Sequence, residues 1–399
     1  MGADELQVLQ PGLAIFEGFA NVAFVYGRGE LLVVDTGYRG RGADAVSAIR
    51  SVTLEPITLI TYTHGHIDHV SGTPAFLADA AARGHARPVI WAHERLCERQ
   101  RTYVRMAGWT ATVNSLQFNL PIGPERISDP STFTPPDRTY RDVQRLYLAG
   151  EPVELHHARG ETDDATWIWL PERRSALVGD LVVSSMPNAG NPGKRQRFTL
   201  EWAEALESIA TLRPHFILPG HGPAWQGDIA LQVLRDTAAA LRFVHDEVVR
   251  RLNRGEWPVD IIEAEIGLPS TLANKPWLRE AYGCVAFVVR DVLRSYGGWW
   301  SGQPSHLFPP RRNEYAGDIL ALCGRAPLLA RVRALLRHGC MKRAVALAEL
   351  VVSGIPDDRE ARLLYAESLR MLARTQQSFI ARNLLRGAAA RAVGHWGEG

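Results

Sequence analysis

The chain has 399 residues, of which 46% are hydrophobic and 22% are charged. This is the composition of a soluble globular protein, and the length exceeds what one ordinary hydrophobic core requires, so we expect two domains. The 45 basic and 43 acidic side chains leave a net charge of +2, which excludes a global attraction to nucleic acid or to an anionic membrane.

Cysteine usage and the N-terminal residues predict a cytoplasmic location. The four cysteines, Cys97, Cys284, Cys323 and Cys340, are scattered without a C-x-x-C pair, which favours reduced thiols over a disulfide framework. Residues 1–6 lack the basic start and the apolar core of a signal peptide. No apolar run reaches the roughly 20 residues of a membrane span, so we expect no membrane partner.

The first part of the chain alternates short apolar runs with glycines. Residues 13–16, 22–26 and 31–34 predict three strands, and residues 27–30 predict a hairpin turn between the last two. Asp35 ends the third run. From its position in the sequence alone, a turn-forming role for Asp35 after a strand is as well supported as a role in a functional site.

Three histidines and an aspartate follow the next apolar run. These side chains are His64, His66, Asp68 and His69. A strand predicted at residues 57–60 precedes them and a helix predicted at residues 72–83 follows, so they occupy the turn between the two. Imidazole nitrogens and carboxylate oxygens bind divalent metals of borderline softness. Their alternation directs two ligands to each of two sides, which suits two adjacent metal ions better than one.

This pattern, His-x-His-x-Asp-His after a short strand, resembles the metal-binding signature of the metallo-β-lactamase superfamily. The resemblance implies an αββα sandwich with a one- or two-metal hydrolytic site at the edge of its sheets. It also implies that Asp35 lies beneath the loop that carries His64, His66, Asp68 and His69, called the metal loop below. Asp35 would orient this loop through hydrogen bonds. Because the second half of the chain is rich in helix formers, we expect an α+β protein whose sandwich is followed by an all-α domain.

Five prolines and little periodicity mark residues 94–140. We expect a long irregular loop, which within a compact domain is usually functional or mobile. The walls of the substrate pocket are predicted here, and Tyr103 and Arg105 are candidate contacts to an anionic substrate.

Later strand ends are expected to supply the remaining ligands. Further strands are predicted at residues 153–158, 165–170, 175–178 and 216–218. Asp180 follows the third of these strands, and in the superfamily an aspartate at this place bridges both metals. His221 follows the fourth in a Pro-Gly-His-Gly turn, which presents its imidazole at the sheet edge.

One ligand position departs from most of the superfamily. Where most members have a histidine in a Gly-His-Thr pattern, this chain has Glu161 after Gly160. His156 or His157 could be recruited instead. We favour Glu161, because its separation from Asp180 fits the ends of two strands in a hairpin pair. A carboxylate at this place is a property of the alkylsulfatase branch of the superfamily.

Two further stretches resemble that branch. Residues 298–304, Gly-Trp-Trp-Ser-Gly-Gln-Pro, are similar to its Gly-Trp-aromatic-Asp-Gly-Asn-Pro loop. The helical region through Arg391 resembles its dimerisation domain and implies a homodimer. The predicted domains are therefore a hydrolase domain at residues 1–228 and a dimerisation domain at residues 229–399. Helices of the second domain are predicted at residues 229–252, 259–265, 276–282, 285–296, 327–338, 341–353, 357–372 and 376–393.

The chain departs from the alkylsulfatase branch in four respects. Ser301 replaces an aspartate, Gln303 replaces an asparagine, and Asp180 stands where the branch usually has a glutamate. We also expect the chain to lack the sterol-carrier-like domain that helps full alkylsulfatases to house an alkyl chain. These departures favour a small or medium alkyl or aryl sulfate over a long-chain alkyl sulfate.

Residues 188–197 combine glycines with basic side chains. The candidate contacts to a sulfate or phosphate group are Asn188, Lys194, Arg195 and Arg197. The alkylsulfatase branch keeps an asparagine and an arginine in this region. A basic surface loop before a helix predicted at residues 198–212 is an equally good interpretation.

Together these motifs predict a metal-dependent hydrolase of a small anionic sulfuric ester, with no nucleic-acid partner. Two divalent metal ions, with zinc favoured although iron or manganese fit the same ligands, would lower the pKa of a bridging water. Asp68 and Asp180 would position the resulting hydroxide. The alternatives are hydrolysis of a phosphoester, lactone or thioester at the same site, and an interaction protein with a relict metal site.

Overall fold

The computed structural model describes residues 5–129, 131 and 133–394. Residues 1–4, on which the prediction about a signal peptide depends, lie outside the described residues. The strands are β1 (Glu5–Gln10), β2 (Leu13–Glu17), β3 (Val22–Gly27), β4 (Glu30–Val34), β5 (Ile57–Thr61), β6 (Val89–His93), β7 (Arg138–Tyr140), β8 (Val143–Leu148), β9 (Glu151–Ala158), β10 (Ala165–Leu170), β11 (Ser175–Gly179), β12 (Phe216–Pro219) and β13 (Trp225–Gln226).

Helices separate and follow these strands. The α-helices are α1 (Gly42–Arg50), α2 (Ile67–Val70), α3 (Thr73–Ala82), α4 (Arg95–Arg105), α5 (Ala107–Phe118), α6 (Pro124–Ser128), α7 (Thr199–Thr211), α8 (Gly227–Leu252), α9 (Pro258–Glu263), α10 (Ser270–Ala273), α11 (Val285–Gly297), α12 (Arg312–Cys323), α13 (Arg325–Arg337), α14 (Met341–Gly354), α15 (Arg359–Thr375) and α16 (Phe379–Ala392).

The strands form two mixed sheets. The first contains β1 to β7 in chain order, antiparallel from β1 to β4 and parallel from β4 to β7. The second has the order β13-β12-β11-β10-β9-β8, in which only β11 and β12 are parallel to each other. As a result, β4, β5, β9, β11 and β12 all end at one edge of the sandwich.

Both faces of the central strands are buried, which explains their continuous apolar runs. Successive side chains of a strand point to opposite faces. On β4, Leu31 and Val33 pack with Ile49 of α1 in an outer core, whereas Leu32 and Val34 lie between the two sheets. A third core joins the second sheet to α7, α8 and α11. The predicted αββα layering is confirmed.

The second half of the chain is helical, as predicted. Leu329, Val332 and Leu336 of α13 form a core with α14 and α15. The last helix, α16, returns to the sandwich, where the side-chain amide of Asn383 donates to the carbonyl oxygen of Gln117 on α5 at 2.8 Å. None of the helices in the described part of the chain combines the length and the hydropathy that crossing a bilayer requires.

The prediction of an irregular loop at residues 94–140 is wrong. This segment forms α4, α5, α6 and β7, and Tyr103 and Arg105 therefore lie on a helix. Its prolines all follow Asn119, which ends α5 in a left-handed conformation with φ of 54°. Before Asn119, α4 has many charged residues and shows little hydrophobic periodicity in the sequence. Its buried face is formed by Leu96 and Arg99.

Other elements were missed or misassigned. The short or edge strands β1, β8 and β13, and the exposed helix α12, were not predicted. The helix predicted at residues 276–282 is a single 3-10 turn at Pro276–Leu278. Single short strands and solvated helices carry little hydrophobic periodicity, which is the signal on which such predictions depend.

Trp202 of α7 should contribute strongly to the stability of the third core, which joins the second sheet to α7, α8 and α11. It is fully buried, and its indole Nε1 donates to the carbonyl oxygen of Leu181 at 2.9 Å. We expect Trp202→Ala to lower the free energy of unfolding by about 3–5 kcal/mol, measured by urea denaturation. Tyr147→Ala, on the exposed side of β8, is the matched control and should change it by less than ~0.5 kcal/mol. Equal losses would contradict this account of the core.

Candidate metal centre and anion-binding loop

The predicted ligands converge on the edge where the strands end. The loop after β5 carries His64 and His66, the turn after β9 carries Glu161, β11 is followed by Asp180, and β12 is followed by His221. The glycine before His221 is required by the close approach, because a Cβ on Gly220 would lie 2.0 Å from Oδ1 of Asp180.

The structure brings the candidate ligands together in two groups, within each of which one nitrogen or oxygen atom per residue lies within 4.8 Å of the others. The first group is His64, His66, Glu161 and Asp180. The second group is Asp68, His69 and His221. All seven residues predicted from the sequence are therefore placed in one of two adjacent clusters.

Asp180 lies between the two groups. Its Oδ2 is 3.6 Å from Nε2 of His64 in the first group. Its Oδ1 is 3.3 Å from Nε2 of His69 and 3.5 Å from Nε2 of His221 in the second. Asp68 lies on the far side of the second group, with Oδ2 3.5 Å from Nε2 of His221. One carboxylate thus faces both clusters.

The unsatisfied atoms of these clusters fit a metal site. Nε2 of His69 and Oδ1 of Asp180 are buried, and neither has a hydrogen-bond partner among the described residues. A buried polar atom without a partner costs roughly 1–3 kcal/mol. Mixed imidazole and carboxylate donors are those that zinc and similar divalent cations accept. The donor set therefore fits divalent metal ions.

Asp35 holds the metal loop from below. Its Oδ1 accepts the backbone N–H of Thr63 at 2.7 Å, and its Oδ2 accepts the Thr63 hydroxyl at 2.7 Å. The same Oδ2 lies 2.7 Å from Nδ1 of His69, so that imidazole keeps its Nε2 free for the cluster. Asp35 adopts a left-handed φ of 58° to make these contacts. The orienting role implied by the family resemblance matches this geometry better than a simple turn.

Charges within the clusters shift the pKa values of the histidines in two directions. Burial holds the pKa of His64 and of His66 well below the usual range, so both are neutral. Burial also opposes protonation of His69 and His221, but nearby carboxylates, above all Asp180, outweigh it and raise their pKa values. Metal binding would therefore release protons from the second cluster.

Two residues that sequence reasoning missed hold the metal loop from the other side. The backbone N–H of Gly65 donates to Oδ2 of Asp164 at 2.9 Å. Nε of Arg99 donates to Oδ1 of Asp164 at 2.7 Å, and the Arg99 guanidinium also pairs with Asp163. Arg99 and Asp164 are both buried. In the sequence, Arg99 is one of several arginines on a charged segment, and nothing marks it as internal.

The structure brings Glu161, rather than His156 or His157, into the first cluster. His156 stacks on Trp167, with ring centroids 4.1 Å apart. His157 stacks on His93, with centroids 3.8 Å apart. His156 therefore packs within the second sheet, whereas His157 packs against β6 of the first sheet.

Asn188 and Arg197 reach the first cluster through Glu161. Nδ2 of Asn188 donates to Oε1 of Glu161 at 2.9 Å, and the Arg197 guanidinium forms an ion pair with the same oxygen. Arg197 is only 5% exposed, and burial lowers its pKa to about 10. A cation at this depth beside the clusters is a suitable partner for an anionic group.

The other predicted anion contacts are not among the residues of the two clusters. Nζ of Lys194 contacts Oδ1 of Asn114 on α5, and burial lowers the pKa of this lysine to about 8. Arg195 is exposed. Arg105, the last residue of α4, is exposed and lies 4.0 Å from Glu98. Tyr103 is half-buried on α4.

Tyr282 is a further side chain near the clusters that the sequence did not indicate. It comes from the helical half, in the turn before α11, and its hydroxyl accepts from Nε2 of Gln117 at 2.5 Å. Burial raises its pKa, and the charge of Asp68 adds to the effect. The helical half therefore contributes a buried hydroxyl on which the charges of Asp68 and Asp180 act.

Comparisons with known families agree with this geometry. The metallo-beta-lactamase superfamily model matches residues 15–221, and the chain belongs to this superfamily. A model described as alkyl sulfatase dimerisation matches residues 258–393. The chain therefore belongs to the alkylsulfatase-like branch that the sequence motifs predicted.

The relatives with known activities are alkylsulfatases. A linear primary-alkylsulfatase of a Pseudomonas species is 30% identical over 362 residues, which cover 86% of this chain and 68% of the relative. An (R)-specific secondary-alkylsulfatase of Pseudomonas is 25% identical and covers 92% of this chain. An alkyl/aryl-sulfatase of Saccharomyces cerevisiae is 23% identical and covers 88%. The chain spans 58% of the length of each of the last two.

A solved structure has the same fold over nearly the whole chain. The stereoselective inverting sec-alkylsulfatase Pisa1 from Pseudomonas superposes with a TM-score of 0.85 at 22% identity, covering 99% of this chain and 66% of that protein. At this identity the likeness concerns the fold alone. The family and its relatives confirm the predicted class of enzyme, a metal-dependent hydrolase of ester bonds.

Arg99→Met tests the support of the metal loop. The substitution keeps most of the side-chain volume but leaves two carboxylates, Asp163 and Asp164, without their cation. We expect the free energy of unfolding to fall by about 3–5 kcal/mol, together with a loss of bound metal, measured by denaturation and by elemental analysis.

Arg101→Met is the matched control on the same helix. Arg101 is 71% exposed and pairs at the surface with Glu98, so its loss should cost less than ~1 kcal/mol. A similar small effect of Arg99→Met would show that the buried cation does not hold the loop.

Proposed function

We propose that this protein is a sulfuric ester hydrolase that binds two divalent metal ions, with zinc favoured. The observation that carries the proposal is the position of Arg197, a buried cation that contacts Glu161 at the rim of two adjacent ligand clusters. The similarity to alkylsulfatases supports sulfate as the anionic group.

The two clusters would each hold one metal ion. In this proposal His64, His66 and Glu161 would hold the first, Asp68, His69 and His221 would hold the second, and Asp180, which faces both clusters, would serve as a ligand for both. Divalent metals in such a site lower the pKa of a bound water toward neutrality and stabilise developing negative charge. Asp35 and Asp164 keep the ligand loop in place for both ions.

Asn188 and Arg197 would bind the sulfate group of the substrate. A guanidinium offers a planar fork of donors that matches a tetrahedral oxyanion, and hydrogen bonds to charged groups are stronger in a buried site. Both side chains already lie on Oε1 of Glu161, so the bound anion would lie beside the first cluster. Four other residues remain predicted contacts to the substrate: Lys194, Arg195, Arg105 and Tyr103.

The same site could act on a phosphoester, a lactone or a thioester, and the buried cation favours an anionic head group over a lactone. The reading as an interaction protein with a relict site is less well supported, since all seven candidate ligands are present and converge. The domain limits at residues 228 and 229 and the cytoplasmic location remain predictions.

Paired aryl substrates that differ only in a sulfate, phosphate or lactone head should identify the reaction. We expect sulfate hydrolysis that rises with metal content to two ions per chain. Glu161→Ala removes one candidate ligand and should reduce kcat/KM by about a hundredfold, because loss of a residue that only supports a ligand already costs about 10–100-fold.

Glu172→Ala, an exposed glutamate in the turn between β10 and β11, is the matched control and should leave the rate unchanged. Preference for phosphate or lactone would refute sulfate as the substrate while leaving the metal site intact. Full activity of Glu161→Ala would refute the ligand assignment.

We also propose that the helical half forms a homodimer. The alkyl sulfatase dimerisation model matches residues 258–393, and Phe308 and Leu322, which are 87% and 84% exposed, lie within this range as candidate contacts. Light scattering should give twice the chain mass of 44.2 kDa at micromolar concentration, and Phe308→Asp with Leu322→Asp should give the monomer. Leu54→Asp, at an exposed leucine of the sandwich, is the control. A monomeric wild-type protein would contradict the proposal.

A further inference from the structure

Asp291 is a buried carboxylate of the helical half that contacts the anion-binding loop. It lies in the middle of α11 and is completely buried. Its Oδ1 accepts the backbone N–H of Arg197 at 3.1 Å, and its Oδ2 accepts the hydroxyl of Thr199 at 2.8 Å. Its Oδ1 also lies 3.7 Å from Nη2 of Arg294, a side chain that is 44% exposed.

The loop at residues 188–199 lies along α11 beyond this contact. Nε2 of Gln196 donates to the carbonyl oxygen of Asp291 at 3.0 Å and to the Ser295 hydroxyl at 2.7 Å. At the other end, a Cβ on Gly190 would lie 1.8 Å from the carbonyl oxygen of Phe287, so only glycine allows this approach. The helix therefore contacts the loop near its beginning, at Gly190, and again along residues 194–199.

The loop needs such support because its own backbone is permissive. Gly190 and Gly193 have positive φ values of 68° and 77°, and glycine loses more conformational entropy on ordering than any other residue. Without an anchor, Arg197 would sample many positions relative to Glu161.

A buried carboxylate is costly to maintain without a full ionic partner. Burial raises the pKa of Asp291, while its hydrogen bonds from Thr199 and from the Arg197 backbone, and the nearby charge of Arg197, oppose this shift. An apolar residue would pack at this position of α11 at a lower cost. The hydrogen bonds to the loop give the carboxylate a specific role.

We propose that Asp291 is a positioning residue that fixes Arg197 for binding of the substrate anion. It holds the backbone of Arg197 from one side, while the guanidinium of the same residue reaches Glu161 on the other. The helical half thereby sets the geometry of the anion site. This inference rests on the proposed function of Arg197.

Asp291→Asn in the metal-loaded full-length protein tests the inference. Asparagine keeps the shape but loses the charge and one acceptor oxygen. We expect KM for an aryl sulfate to rise about tenfold, equivalent to ~1.4 kcal/mol, with kcat changed less than about threefold, since a binding interaction present in both ground and transition states is weakened. Amide hydrogen exchange of residues 188–199 should accelerate, and metal content should stay at the wild-type level.

Two further variants keep the inference open to refutation. Thr199→Val removes only the hydrogen bond to Oδ2 of Asp291 and should raise KM less than Asp291→Asn does. The Thr199→Val variant also tests the inference if Asp291→Asn fails to fold. Asp246→Asn, at an exposed aspartate of α8, is the matched control and should change neither KM nor exchange.

The outcomes separate this inference from the proposed function. A wild-type protein that does not hydrolyse sulfates would refute the proposed function and, with it, the role of Asp291. An active wild-type protein with unchanged KM in both Asp291→Asn and Thr199→Val would refute the inference alone. Unchanged exchange of residues 188–199 would also refute it, as would a fall in kcat with unchanged KM.

Discussion

The concentration of polar atoms at one buried edge is the constraint on which the rest of this structure depends. The central strands are apolar on both faces, so polar side chains can come together only where those strands end. The atoms that face the clusters, such as Nε2 of His69 and Oδ1 of Asp180, lack hydrogen-bond partners among the described residues. This arrangement lowers the free energy of unfolding, and the packing of the surrounding sandwich has to compensate for the loss.

Two carboxylates supply that support from opposite sides of one loop. Asp35 binds Thr63 and His69, and Asp164 binds the backbone of Gly65. Asp164 is in turn balanced by the buried cation Arg99. The loop is therefore fixed at its backbone as well as at one imidazole. This pre-organisation reduces the conformational entropy that metal ligation would otherwise have to overcome.

The helical half is part of the candidate site as well as a candidate dimer interface. It contributes Tyr282, whose pKa is raised by burial and by the charges of Asp68 and Asp180, and Asp291, which accepts the backbone N–H of Arg197. Its last helix also returns to α5, next to the Gln117 side chain that contacts Tyr282. Changes in the packing of the helices can therefore reach the anion site through a few hydrogen bonds.

The sequence by itself determined the central strands of the sandwich and the seven candidate ligands, but not the short or edge strands β1, β7, β8 and β13. Short continuous apolar runs and the dense motif from His64 to His69 are local signals, and Asp180 and His221 each follow such a run. Only the tertiary structure decided the roles of Arg99, Tyr282 and Asp291, because the residue type of a charged or polar side chain does not reveal whether it is buried. Their partners lie more than sixty residues away along the chain, and long-range pairing leaves no periodic pattern to detect.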